Sequence, residues 1–193
     1  MNIDEESLKK LLEEVCSFDQ LEFSGIPDID LYMDQVTTFI DEKFSYLKRN
    51  KEDTSLTKTM INNYTKAGIL MPPKKKKYSR QHMVLIILTY YLKQILSIND
   101  IQALFSPIVE NINKLEDSKI NLKDVYEEFL QLEKLEIENF KTDFEKEINL
   151  KDCSGEHNDI SKSMMLVIML IVKANIQKRM AEKIIDSFFK KKS

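Results

Sequence analysis

Lys58, Thr59, Asn62, Asn63 and Lys66 recur at the spacing of one helical face, and Lys74, Lys75, Lys76, Lys77 and Arg80 follow shortly after. Amide and ammonium groups in this order suit a polyanion: Asn can bond adenine bidentately, while Lys neutralises phosphate. No Asp or Glu occurs between Thr54 and Asn99, a stretch that holds eight Lys and Arg. The whole chain is at −3, so the remainder carries −11. Clustered cations in a chain of pI about 5.6 mark a contact surface.

Other chemistry is thinly represented. Cys16, His82, Cys153 and His157 are the only soft metal-ligand candidates, and Cys153 with His157 is one pair without a second, so no metal is expected. There is no phosphate-cradling glycine loop, nucleophile elbow or His-Glu metal helix, so neither enzymatic activity nor a cofactor is expected. Two cysteines make no disulfide framework and suit a reducing cytoplasm, and the acidic start lacks the features of a signal peptide. The longest apolar run, residues 164–172, falls short of the roughly twenty needed to span a bilayer, so no membrane association is expected. The nine methionines read as core filler, although Met164, Met165 and Met169 could line a pocket for an unidentified effector.

The elements that must position these residues are helical. Three Gly and four Pro in 193 residues leave few places to turn, and 42% hydrophobic residues suffice for a core. Leu8, Leu11, Leu12 and Val15 predict an amphipathic first helix. Asp28 is a candidate cap for a second helix over about 29–48, striped by Met33, Val36, Ile40, Phe44 and Leu47. Thr54 or Ser55 can cap a short helix that turns Leu56, Met60, Ile61 and Tyr64 inward and ends at Gly68. Pro72 and Pro73 force the lysine run into an extended loop or hairpin. Ser79 can cap a helix from Arg80 to about Ile95, apolar over most of its circumference and therefore central. A short helix then runs to Pro107. Beyond Lys119 come an acidic helix, 121–148, whose apolar runs do not share one heptad frame, and a last helix over 160–189 with Met164, Val167, Ile168, Ile171, Met180, Ile184 and Phe188.

Thr57, Ile61, Tyr64, Gly68, Ile69, Leu70, Pro72, Tyr78 and Ser79, followed by Leu96, Ser97, Ile98, Asp100 and Ile101, form a pattern that resembles the MerR family of winged helix-turn-helix regulators over about a quarter of the chain. The whole chain also resembles the bacterial domain-of-unknown-function family 1836. The MerR resemblance implies that residues 57–67 enter the DNA major groove and that the following loop, 72–78, is a wing gripping backbone phosphate. Asn62 stands where that family typically has arginine, Asn63 where it has an aromatic residue or His, and Thr65 where it has Glu.

The resulting expectation is an all-α fold: an N-terminal helical arm (1–27), a winged helix-turn-helix domain with a small wing (28–118), and a C-terminal helical hairpin or bundle for dimerisation or sensing (119–193). The expected function is a cytoplasmic bacterial transcriptional regulator that binds double-stranded DNA as a homodimer. Its DNA-contacting residues would be Lys58, Thr59, Asn62, Asn63, Lys66, Lys74, Lys75, Lys76, Lys77 and Arg80. The alternative is a non-enzymatic protein-interaction module that keeps the winged-helix shape without binding DNA.

Overall fold

The computed structural model describes residues 4–50, 52–53, 56–114, 121–151 and 159–190. The fold is all-α apart from one small sheet. In chain order the described elements are α1 (Glu5–Cys16), β1 (Leu31–Tyr32), α2 (Met33–Lys43), α3 (Lys58–Lys66), β2 (Lys77–Tyr78), α4 (Arg80–Leu92), α5 (Ile98–Lys114), α6 (Leu122–Lys151) and α7 (Asp159–Phe188), with 3-10 turns at Phe23–Gly25 and Ser45–Leu47. The chain divides into two compact units, Met1–Gln20 with Glu128–Arg179, and Leu21–Glu127 with Met180–Ser193. Among the described residues no helix is long and apolar enough to cross a membrane.

The larger unit is built on α4. Nine consecutive residues, His82 to Tyr90, are buried. A helix with no polar face cannot stand at a surface, so the run of Met, Val, Leu and Ile dictates a central position, as its sequence predicts. Val36 and Ile40 of α2, Ile61 and Tyr64 of α3, Ile101 and Phe105 of α5, Tyr126 of α6 and Ile185 of α7 are buried in the same unit. Each such aliphatic side chain contributes about 1.5–3 kcal/mol when fully buried. Two hydroxyls in this unit are satisfied by carbonyls, Thr89 donating to Leu85 at 2.6 Å and Tyr126 to Leu21 at 2.8 Å, whereas the buried Nε of Arg80 has no hydrogen-bond partner among the described residues.

Two helices differ from their sequence expectation. The second does not begin at Asp28, which is exposed; α2 starts at Met33, after β1, and Gln35 Oε1 accepts the Tyr32 N–H at 2.9 Å. Residues 31–32 are extended because they pair antiparallel with 77–78, Leu31 opposite Tyr78 and Tyr32 opposite Lys77. Long-range pairing overrides the local helical period. The helix also stops at Lys43, continuing only as the turn Ser45–Leu47. Conversely, Pro107 does not end its helix, since α5 runs through it to Lys114. A proline cannot bond the carbonyl four residues back, here Ala103, but the Ser106 hydroxyl donates to that oxygen at 3.2 Å and fills the gap. Of the caps expected for α3, Thr54 and Ser55 lie outside the described residues, and Thr57 Oγ1 accepts the Met60 N–H at 3.1 Å.

In the smaller unit Leu12 of α1, Phe144 and Ile148 of α6 and Leu166 of α7 form a buried cluster, with Leu8, Cys16, Met169 and Leu170 packed against it. Asp4 caps α1, its carboxylate accepting the Ser7 N–H at 2.7 Å. Gln20 donates through Nε2 to the Leu130 carbonyl and to Glu133 Oε2, both at 2.8 Å.

Candidate nucleic-acid interface

The short helix α3 is defined at both ends. Thr57 caps its start, and Gly68, at φ +76°, takes the left-handed conformation that closes it. The Ile69 N–H reaches the Tyr64 carbonyl at 2.9 Å and the Gly68 N–H that of Thr65 at 3.1 Å, the paired bonds of a Schellman motif. Ile61 and Tyr64 are buried on one side. Lys58, Thr59, Asn62, Asn63 and Lys66 are all exposed on the other, so the five predicted residues share a free face. Lys58 is nonetheless ion-paired with Asp34 of α2.

The lysine run folds as a tight hairpin. The Lys77 N–H donates to the Lys74 carbonyl at 2.9 Å, and the two residues between them, Lys75 and Lys76, have φ of 51° and 64°. Positive φ at both central positions is the requirement of a type I′ turn, for which Asn-Gly is the usual solution. With lysine the left-handed conformation costs about 1–2 kcal/mol per residue. Lys74, Lys75 and Lys76 are exposed, and Lys77 lies with Nζ 5.0 Å from the Tyr32 ring centre.

His82 fastens this hairpin to α4. Its Nδ1 accepts the Ser79 N–H at 3.1 Å and lies 2.8 Å from Ser79 Oγ. An Nδ1 that accepts leaves the ring proton on Nε2, which donates to the Met71 carbonyl at 3.2 Å. The Tyr78 ring stands edge-on to the imidazole, centroids 5.6 Å apart. Burial pushes the His82 pKa down, against the opposing effect of the Met71 and Pro72 carbonyls, so the ring is neutral.

Arg80 is placed differently from the other predicted contacts. Its guanidinium lies 5.0 Å from the Phe23 ring centre and 3.4 Å from Asp28 Oδ1, in a half-buried position. A further constraint comes from a groove of about 550 Å³ beside the start of α3, lined by Asp41, Glu42, Glu52 and Asp53 as well as Lys48 and Lys58. Its carboxylates repel phosphate. Of the predicted cations, Lys66 and residues 74–77 do not line that groove, although Lys74 and Lys77 line a second cavity of about 560 Å³ together with Asp30. Two participants carried no local signal in the sequence: Tyr32, brought beside Lys77 by strand pairing, and His82, whose two bonds depend on the Met71 carbonyl and the Ser79 turn.

The two described metal-ligand candidates, Cys16 and His82, belong to different units. Cys16 packs on the Leu12 cluster of the smaller unit, both nitrogens of His82 are engaged in the larger one, and Cys153 and His157 lie outside the described residues. Among the described residues no three His, Cys, Asp or Glu are grouped to hold a metal ion.

No curated protein and no solved structure matches the chain. Residues 21–129 match a family described as domain of unknown function DUF1836. The match begins with the larger unit at Leu21 and ends beside Glu127, so it takes in α3, the lysine hairpin and α4 together. Because it covers more than half of the 193 residues, the chain belongs to the DUF1836 family.

Proposed function

We propose that this protein is a DNA-binding transcriptional regulator of a bacterial cytoplasm, with a MerR-like winged helix-turn-helix in which α3 enters the major groove and the hairpin at 72–78 is the wing. The observation that carries the reading is the hairpin tip. Lysine occupies both left-handed positions of a turn that Asn-Gly would build with less strain. Strain of this kind persists where the side chains serve a purpose, and four adjacent ammonium groups on a rigid turn suit phosphate. The carboxylate-free outer face of α3 supports the same reading. Its acidic flank at Asp41, Glu42, Glu52 and Asp53 directs the phosphate path toward the hairpin and Lys66 rather than toward Lys58.

In this reading Asn62 and Asn63 read base edges and the lysines hold backbone. One such helix and one short wing make few contacts, so two copies acting across a two-fold axis are part of the proposal. Binding-site selection on the wild type, Asn62→Ala and Asn63→Ala tests base reading. A change of about 1–3 kcal/mol at a single base pair is expected of a bidentate contact, whereas uniform weakening across sequences assigns the residue to positioning alone.

A second reading is favoured by the pairing of Lys58 with Asp34 and Arg80 with Asp28, which leaves fewer free cations than the sequence counts. The hairpin would then meet an acidic protein partner, with no enzymatic role. Selection that returns no enriched DNA sequence supports this alternative.

A further inference from the structure

Within the smaller unit, α7 turns only a narrow side toward its own core. Leu166 is 7% exposed, whereas Met164, Met165, Val167, Ile168, Ile171, Val172 and Ile176 are 44–63% exposed. At 3.6 residues per turn, Met164, Ile168 and Ile171 lie opposite Leu166, and Val167 and Val172 widen the strip to either side. No charged residue interrupts it from Ser163 to Val172. Beside it runs an apolar groove of about 350 Å³ lined by Leu11, Val15, Phe140, Phe144, Val167 and Leu170 among others.

We infer that this face is the seat of a second copy of the chain, α7 packing on α7 across a two-fold axis. Area is the first argument. Seven side chains, each leaving roughly 100 Å² in water, offer about 700 Å², close to the ~800 Å² per partner of a standard stable interface and above the ~300–600 Å² of the largest patch on a typical monomer. Self-complementarity is the second: the strip projects flexible methionines, and the groove beside it is apolar, so each copy supplies both knob and hole, as an isologous contact requires. The width of the strip, broader than a simple a/d seam, suits a helical bundle rather than a two-stranded coil. This surface deepens the pairing in the function proposed above and rests on that part of it, but it requires no DNA.

The test is sedimentation of the full-length protein at micromolar concentration without DNA. The wild type should sediment at twice the 22.7 kDa of the chain. Ile168→Glu with Ile171→Glu should sediment as a monomer with unchanged helical circular dichroism, and the milder Ile171→Ser should weaken pairing about tenfold or more without adding charge. A monomeric wild type overturns the inference, as does a double variant that remains dimeric. Growth into species heavier than two copies excludes a closed two-fold contact, and a monomer that floats with phosphatidylcholine vesicles gives the face to a lipid surface. A dimeric protein that binds no DNA leaves this inference standing and removes the DNA reading, so the two fail separately.

Discussion

Lys75 and Lys76 set fold and function against each other. Replacing them with Asn and Gly, the residues a type I′ turn prefers, should relieve left-handed strain and raise unfolding free energy by about 1–2 kcal/mol. The same change should weaken DNA binding and make the slope of log affinity against log salt shallower by about 2, as loss of two phosphate contacts requires. A variant that loses stability contradicts the strain argument; unchanged affinity contradicts the functional one. His82 yields a pH prediction. Its folded pKa lies below the ordinary 6.5 because the ring is buried. Around pH 6 the unfolded chain therefore binds more protons than the folded one, and stability present above about 6.5 is lost as pH falls toward the depressed value. Urea denaturation at pH 5.5 and 7.5 should show that loss in the wild type and a smaller one in His82→Gln. At this scale the sequence exposes the lysine run, the outward amides and the Ser79 cap, all of which are local. It does not expose the neutralisation of Arg80 by Asp28 or of Lys58 by Asp34, because those partners come from segments distant in the chain.

Among the elements, α3 depends on its terminator. Gly68→Ala meets no atom within 4 Å, so its cost is conformational alone, about 1–2 kcal/mol at φ +76°. Chemical denaturation measures it, and a neutral result would mean that the turn can shift without loss. In α5, Ser106→Ala should cost about 0.5–1.5 kcal/mol, because it strips the Ala103 carbonyl of the hydroxyl that stands in for the missing Pro107 N–H. The helical period and the Gly68 stop are legible in sequence because they are written within one turn. The start of α2 is not, since Leu31 and Tyr32 carry a helix-compatible pattern and become extended only through pairing with residues 77 and 78. The continuation of α5 through Pro107 is hidden for a related reason: a side-chain substitute for a backbone donor looks like an ordinary serine.

Across the whole molecule, the family match and the first segment of the larger unit coincide, yet that unit also includes Met180–Ser193. Among the described residues of that segment Ile185, only 3% exposed, is the buried one, and Lys190 pairs with Asp100 at 2.7 Å. Ile185→Ala should cost about 2–5 kcal/mol, measured by denaturation. The apolar spacing of the last helix points to Met180, Ile184 and Phe188, but these are 62%, 42% and 81% exposed. Periodicity identifies an apolar stripe without saying which edge of it is covered. Whether the lysine hairpin grips nucleic-acid phosphate is decided by fluorescence anisotropy of a duplex DNA against full-length protein over a range of salt. Binding is expected at low salt, with a log–log slope that becomes shallower by about 0.9 for each phosphate-contacting lysine replaced, hence by about 3 to 4 when residues 74–77 become Ser. Absence of binding at low salt, or a slope unchanged by that replacement, would contradict that grip.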